Sequence, residues 1–275
     1  FDSGAQTFNY LATGETLVLT YTVQATDDDG TPLNDTETVT ITITGTNDAP
    51  VITDGPDTAS LAETNAGLST SGTLTVTDVD TTDVVTATRT LAVTGTSNRS
   101  DAAAPTDAQL LAMLTLTPTT ILNGTQNTAS LAWSFDSGAQ TFNYLATGET
   151  LVLTYTVQAQ DDDGTPLADT ETVTITITGT NDAPVITDGP DTDSLTETNA
   201  GLSTSGTLTV TDVDTSDVVT ASHTLVISGS SNRLDAAAPS DAALLAMLAL
   251  NPTAILSGTP NTATFNWAFN SGAQA

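Results

Sequence analysis

The chain has no cysteine and no lysine, and its 275 residues include one histidine and three arginines. Without cysteine, neither disulfide bonds nor thiolate chemistry can operate. The basic side chains face 33 acidic ones, and a formal charge of −30 excludes a phosphate-binding nucleic-acid surface, which needs clustered Lys and Arg. It also argues against docking on an anionic membrane. No apolar run approaches the ~20 residues of a membrane helix, so we expect no direct membrane insertion.

Hydrophobic residues make up 38% of the chain, which is enough for a packed core. A compact chain of this charge repels itself, and divalent cations with oxygen ligands relieve such repulsion. The acids are clustered rather than scattered, which favours Ca²⁺ over the alternative that they only solvate the surface.

A repeat of 134 residues organises the sequence. The segment FDSGAQTF begins at Phe1 and returns at Phe135, and a third copy opens as FNSGAQA at Phe269. A period of this length is domain-sized, so the chain is a string of domains. The junction is placed at GTNDAPVI, where a strand closes and a proline stiffens the next segment. We therefore predict the C-terminal part of a repeat at 1–46, a complete repeat at 47–180, and the N-terminal part of another at 181–275.

The secondary structure is predicted to be all-β. Residues 38–44 read TVTITIT, with Val and Ile on one face and Thr on the other. Residues 17–23 and 73–77 alternate in the same way. Strands with one apolar face and one polar face predict antiparallel sheets packed as a β-sandwich. The exception is 106–114, with its counterpart at 240–248, where a capping residue precedes good helix formers and predicts a short helical insertion.

Three acidic segments are expected to meet at one end of the sandwich. If the first strand runs away from the junction and the next returns, the loop after the returning strand lies beside Asp48. The hairpin before the last strand then also lies there. The predicted calcium ligands of the complete repeat and its junction are Asn47, Asp48, Asp78, Asp80, Asp83, Asp161, Asp162 and Asp163. The alternative is an ordinary Asp-Gly turn and a solvated loop.

The motifs TLTVTDVDTTD, LATGETLVLTYTV and TVTITITGTNDAPVI resemble the VCBS repeats of very large bacterial surface proteins, including RTX-type biofilm adhesins. The resemblance implies cadherin-like or immunoglobulin-like domains that act as extracellular extenders and bind calcium. The period is longer than that of a typical repeat of this family, and the additional residues are expected to lie around 97–125.

TVTDVD and the junction NDAP are also similar to the elements that clamp calcium between cadherin domains. That similarity implicates Asn47, Asp48, Asp78 and Asp80, with their counterparts Asn181, Asp182, Asp212 and Asp214. It also places Glu63 and Glu197 where cadherins have a bridging glutamate.

No enzymatic site is predicted. The one histidine, His223, replaces Arg89 of the other copy, so no role depends on it in both repeats. The carboxylates fall in loops that favour metal ligation over acid–base chemistry. Trp133 and Trp267 alternate with small polar residues, which favours core positions over a sugar-binding surface.

The incomplete repeats at 1–46 and 181–275 leave two interpretations open. The chain is either a window on a longer array or a subunit whose N-terminal strands complete the C-terminal part of its neighbour, giving a head-to-tail fibre. The second interpretation predicts one further calcium cluster, made of Asp27, Asp28 and Asp29 of one chain with Asp182, Asp212, Asp214 and Asp217 of the next. The predicted function is a calcium-rigidified extender of a bacterial surface adhesin or fibre, the alternative being a glycan- or protein-binding module.

Overall fold

The computed structural model describes residues 1–97, 99–198, 200–231, 233–235, 237–258 and 260–272. Its strands are β1 (Thr16–Thr26), β2 (Asn34–Thr44), β3 (Val51–Ile52), β4 (Asp57–Ala62), β5 (Ser69–Thr77), β6 (Val84–Gly95), β7 (Leu114–Thr117), β8 (Thr120–Asn123), β9 (Thr128–Asp136), β10 (Thr150–Gln160), β11 (Ala168–Thr178), β12 (Val185–Ile186), β13 (Ser203–Thr211), β14 (Val218–Thr220), β15 (Leu248–Asn251), β16 (Ala254–Ser257) and β17 (Thr262–Asn270). Two short helices, α1 (Asp107–Met113) and α2 (Asp241–Leu245), interrupt them. The protein is therefore all-β, as the alternating threonines predict.

Nine strands between Val51 and Thr178 form two sheets around one core. One sheet has the order β4-β11-β10-β6-β8, and the other has the order β3-β5-β9-β7. All pairs are antiparallel except β4 with β11, which run parallel. The segment after the junction is thus divided, with β3 in one sheet and β4 in the other.

The core between these sheets consists of the inward positions of the alternating strands. In β10, five alternate side chains from Leu151 to Ala159 are fully buried, and the residues between them are not. Trp133 and Phe135 of β9 also belong to this core. The indole N–H of Trp133 donates to Asp57 Oδ2 at 2.5 Å, so this tryptophan is a core residue rather than a sugar-stacking surface.

Helix α1 lies on the sandwich as an insertion between β6 and β7. Thr106 caps it in a capping box with Gln109, which satisfies backbone donors of its first turn. Leu110 is fully buried, and its carbonyl oxygen accepts a hydrogen bond of 2.7 Å from the Tyr155 hydroxyl. The predicted helix through Leu114 is one residue too long, because Leu114 begins β7 and pairs with Phe135.

The other copy of the helix is shorter than predicted. Helix α2 ends at Leu245 rather than Leu248, which begins β15 and pairs with Phe269. Neither described helix is long and apolar enough to cross a membrane.

The residues on either side of this unit form smaller sheets. Strands β1 and β2 pair with each other alone, as an antiparallel hairpin. After the second junction, β12-β13-β17-β15 form one sheet and β14-β16 a second, with a small core around Val210, Val219, Leu256 and Phe265.

Candidate metal centre

Strands β3 to β11 form the complete unit. Its three predicted acidic segments meet at one end of the sandwich. The junction contacts the other two segments: Asn47 Nδ2 donates to Asp161 Oδ2 at 3.1 Å, and the backbone N–H of Asp48 donates to Asp80 Oδ2 at 2.7 Å. The third segment contacts the start of β6, where the Val84 N–H donates to Asp162 Oδ1 at 2.9 Å. The structure thus brings the three segments to one end of the sandwich, as the antiparallel topology predicts.

Neighbouring strand ends fix the acidic loop between β5 and β6. Asp78 follows the last residue of β5, and its N–H donates to the Asn127 carbonyl at 3.0 Å. The Asp80 N–H donates to Asp78 Oδ1 at 3.0 Å, and the Asp83 N–H donates to the Asp80 carbonyl at 3.1 Å. This compact loop turns all three carboxylates inward, so that Asp78, Asp80 and Asp83 are 3%, 1% and 4% exposed.

Five buried oxygen atoms in this cluster have no hydrogen-bond donor, although buried oxygens normally have one. They are Asn47 Oδ1, Asp78 Oδ2, Asp80 Oδ1, Asp83 Oδ2 and Asp163 Oδ2. A buried carboxylate without a donor is costly, because it has lost its water without gaining a partner. Among the described residues, no positively charged side chain donates to the cluster, and a bound cation would supply the missing positive charge.

Burial also raises the pKa values of these carboxyl groups. It is the main cause that brings the pKa of Asp78 to about 6 and that of Asp83 to about 7. The pKa of Asp80 is raised for the same reason. Neighbouring aspartates add to each shift by repulsion, while backbone donors to Asp78 and Asp80 oppose it. The site thus disfavours ionised carboxylates unless a positive charge is supplied.

The geometry suits one hard cation shared by the loop. Asp78, Asp80 and Asp83 each offer an oxygen within 4.8 Å of the other two. Two ligands of a calcium ion lie at most about 5 Å apart, because each oxygen is ~2.3–2.6 Å from the metal. Asn47 and Asp163 add neutral and charged oxygens from the other two segments, which raises the available set toward the six to eight that calcium takes.

Two predicted ligands have other partners. Asp162 is exposed and accepts from Val84, as described above. Asp161 is buried, but both its carboxylate oxygens accept from the Leu167 N–H at 3.1 Å, and one also accepts from Asn47. Asp161 therefore orders the loop, and Asp162 ties it to β6.

The second junction repeats part of the cluster. The Asp182 N–H donates to Asp214 Oδ2 at 2.7 Å, and the Asp214 N–H donates to Asp212 Oδ1 at 3.1 Å. Asp217 follows in the same loop, with its N–H on the Asp214 carbonyl at 3.0 Å. Asp182 Oδ2 and Asp214 Oδ1 are buried without donors, and burial brings the pKa of Asp214 to about 6.

No third acidic segment contributes to this second cluster within the described chain. Asn181, whose counterpart reaches Asp161, instead donates to the Asp182 carbonyl at 3.1 Å. The predicted third segment, Asp27 to Asp29, is exposed at the tip of the β1–β2 hairpin. The structure thus brings together Asp182, Asp212, Asp214 and Asp217, but not Asp27, Asp28 or Asp29.

Glu63 lies at the opposite end of the complete unit, beside the second junction. It is 2% exposed, its Oε1 accepts from the Thr180 backbone N–H and hydroxyl, and its Oε2 is buried without a donor. The alternation of the strands gave no signal for this residue, which only the cadherin resemblance singled out. Its counterpart Glu197 is exposed.

No protein-family model and no curated protein matches the chain. A structure of protocadherin gamma B2 extracellular cadherin domains 1–5 matches with a TM-score of 0.36 and 16% identity, over 60% of this chain and 27% of that one. The protocadherin gammaB7 EC3–6 cis-dimer structure has the same TM-score and identity, over 71% and 43%.

Zebrafish RET cadherin-like domains 1 to 4 match with a TM-score of 0.24 and 10% identity, over 91% of this chain and 50% of that one. The chain therefore spans between about a quarter and a half of the length of these structures. These structural neighbours are cadherin-like domains.

Proposed function

We propose that the chain is a non-enzymatic extender segment of a bacterial cell-surface adhesin or extracellular fibre of the VCBS and RTX type, stiffened by calcium. The observation that supports this most is the set of five donorless buried oxygens, which unites the junction with two loops of the unit. The resemblance of the repeat motifs supports the adhesin assignment and the extracellular, biofilm-associated location.

Calcium would act at the junction itself. Asn47 and Asp48 lie between the end of β2 and the start of β3, so an ion that binds Asn47 together with Asp78, Asp80, Asp83 and Asp163 would hold the junction against the body of the unit. The bound charge would offset the repulsion among these aspartates. A chain of such junctions would resist bending, which is what an extender requires.

The absence of catalysis is part of the proposal. Acid–base or nucleophilic chemistry needs a base within reach of a reacting group. His223 Nε2 lies 3.1 Å from the carbonyl oxygen of Leu245. Both residues follow the second junction, where the described chain contributes no third acidic segment. The carboxylates of the cluster are better explained as metal ligands held by their own backbone donors.

Thermal unfolding of residues 47–180 with calcium and with excess chelator tests the proposal. The core cluster of this unit lies entirely within its own sequence. With about 5 mM calcium and a dissociation constant of about 10⁻⁴ to 10⁻³ M, each ion adds about 1 to 2 kcal/mol to the free energy of unfolding. For a unit of this size that is a rise of about 3–10 °C per ion.

Asp80→Asn should abolish most of this rise, because it removes a buried ligand charge. Asp162→Asn is the matched control: it removes one charge from the same end of the unit, and its amide oxygen can still accept from Val84. The calcium-dependent rise should persist in this control. An unfolding temperature that is the same with calcium and chelator would refute the calcium role, leaving a plain spacer.

A further inference from the structure

The first long strand of the complete unit lies beside its last strand, and the two strands run parallel. β4 pairs with β11 over six residues, from Asp57 beside Val173 to Ala62 beside Thr178. The chain reaches β4 from the first junction through the short strand β3, and β11 leads directly into the second junction. The two segments that connect this unit to the rest of the chain therefore meet in one strand pair.

Tension along the chain would pull these two strands in opposite directions. A pull at the first junction draws β4 toward the acidic end of the unit, where Asn47 contacts Asp161. A pull at the second junction draws β11 toward the other end, where Thr180 contacts Glu63. Parallel strands that are pulled from opposite ends can separate only by sliding, so their evenly spaced hydrogen bonds are loaded together. Strands that are pulled apart from the same end open one bond at a time.

Hydrogen bonds at both ends of β11 extend this pairing. At the acidic end, the Ile52 N–H donates to Asp169 Oδ2 at 2.8 Å. At the other end, the Glu63 N–H donates to the Thr178 carbonyl at 2.9 Å, and Glu63 Oε1 accepts from the Thr180 N–H at 3.1 Å. Bonds to a carboxylate are about twice as strong as bonds between neutral groups. The segment that follows the first junction is therefore bonded to β11 near both ends of that strand.

Packing against the core also opposes sliding of β4 along β11. Ala59 and Leu61 of β4 are partly buried and pack against the core, to which Val173 and Ile175 of β11 belong as fully buried residues. Closely packed side chains must leave their positions before the strand can move. A shift of one residue would also turn the inward side chains of β4 to the outer face, so the pair has no neighbouring register that keeps the core.

We propose that β4 and β11 form a force-bearing clamp, which keeps the complete unit folded while the chain is under tension. The proposal rests on the extender role for the source of that tension. It does not rest on calcium, because no residue of the acidic cluster belongs to β4 or β11. Forced unfolding is governed by the rate of unfolding rather than by equilibrium stability. The clamp therefore protects the unit by the direction in which its bonds are loaded.

Constant-force stretching of single molecules of the full chain tests the clamp, because the chain has no cysteine and two can be introduced as attachment points. Thr46→Cys with Ala183→Cys loads β4 and β11 from opposite ends of the unit. Ala66→Cys with Ala183→Cys loads the same strands from one end. All three positions are exposed. At equal force, the opposite-end load should give an unfolding lifetime at least about tenfold longer, because breaking one more hydrogen bond in the slowest step has that effect.

Proline substitutions in β4 provide a matched pair of variants. The Glu63 N–H points to β11, and backbone donors two residues apart in a strand point the same way. The N–H of Ala59 therefore faces β11, whereas that of Ser60 faces the open edge of the sheet, where β4 is the outermost strand. Ala59→Pro should shorten the lifetime under the opposite-end load about tenfold, through the loss of one clamp bond. Ser60→Pro should shorten it much less.

Measurements in calcium and in excess chelator separate the clamp from the proposed calcium site. The longer lifetime under the opposite-end load should persist in chelator, because the bonds between β4 and β11 involve no residue of the acidic cluster. Equal lifetimes under the two loads would overturn the clamp, whether or not calcium lengthens either of them. A difference between the loads that exists only in calcium would overturn it as well, because the resistance would then belong to the acidic cluster.

Discussion

The hydroxyl of Tyr155 joins strand β10 to helix α1, and its removal tests how the helical insertion is held. It donates to the Leu110 carbonyl at 2.7 Å, and both residues are fully buried. Tyr155→Phe keeps the ring in the core and removes only this bond. The loss of a buried hydrogen bond costs about 1 to 2 kcal/mol. In a unit of this size that lowers the unfolding temperature by about 3–10 °C.

Tyr21→Phe is the matched control, because Tyr21 has the same sequence neighbours but is 48% exposed. Calorimetry or urea unfolding of the full chain should show that Tyr21→Phe changes the free energy of unfolding by no more than about 0.5 kcal/mol. Equal losses in the two variants, or none at Tyr155, would refute the assigned contact between β10 and α1.

Two further predictions concern the acidic end and the core. In the chelated unit 47–180, stability should fall as the pH rises from about 4 to 7, because the pKa values of Asp78 and Asp83 are raised to about 6 and 7 in the folded state and lie near 3.9 in the unfolded chain. Calcium should remove most of this fall. Urea titrations across the pH range measure the free energy of unfolding, and a value independent of pH in chelator would contradict the burial of these groups. Separately, Gly72→Ala should destabilise the unit, since a Cβ there would lie 2.6 Å from the ring of Trp133, whereas Gly164→Ala meets open space. Near-ultraviolet circular dichroism of Trp133 during thermal unfolding reports both variants, and equal unfolding temperatures would count against the packing of Gly72 on the indole.

Local sequence determined much of the fold. Strict alternation of threonine with Val and Ile fixes which face of β2 and β11 is apolar, because successive side chains point to opposite faces of a strand. The capping residue Thr106 and the helix formers after it predict α1, but its end depends on Leu114 pairing with Phe135, a contact across the sheet. The end of α2 was missed for the same reason, since pairing of Leu248 with Phe269 is not encoded locally.

The acidic site could be predicted in outline because antiparallel strands return loops to the same end. Clustering of Asp48, Asp80 and Asp161 follows from that topology. The sequence could not distinguish the roles of the three consecutive aspartates at 161–163. Asp163 has a buried oxygen without a donor, while Asp162 accepts a hydrogen bond from Val84. That distinction depends on where each carboxylate points after the hairpin has packed against the start of β6.

The sequence by itself determined the repeat, the all-β class and the concentration of negative charge, since these follow from period, alternation and composition. Tertiary structure alone decided the environment of identical segments. Tyr155 is fully buried and Tyr21 half-exposed, although the strand around them is the same. A strand with one apolar face can pair with its hairpin partner in either setting, but a two-stranded hairpin alone is only marginally stable, and burial of that face requires a second sheet. The complete unit supplies that sheet to β10, and no described part of the chain supplies it to β1.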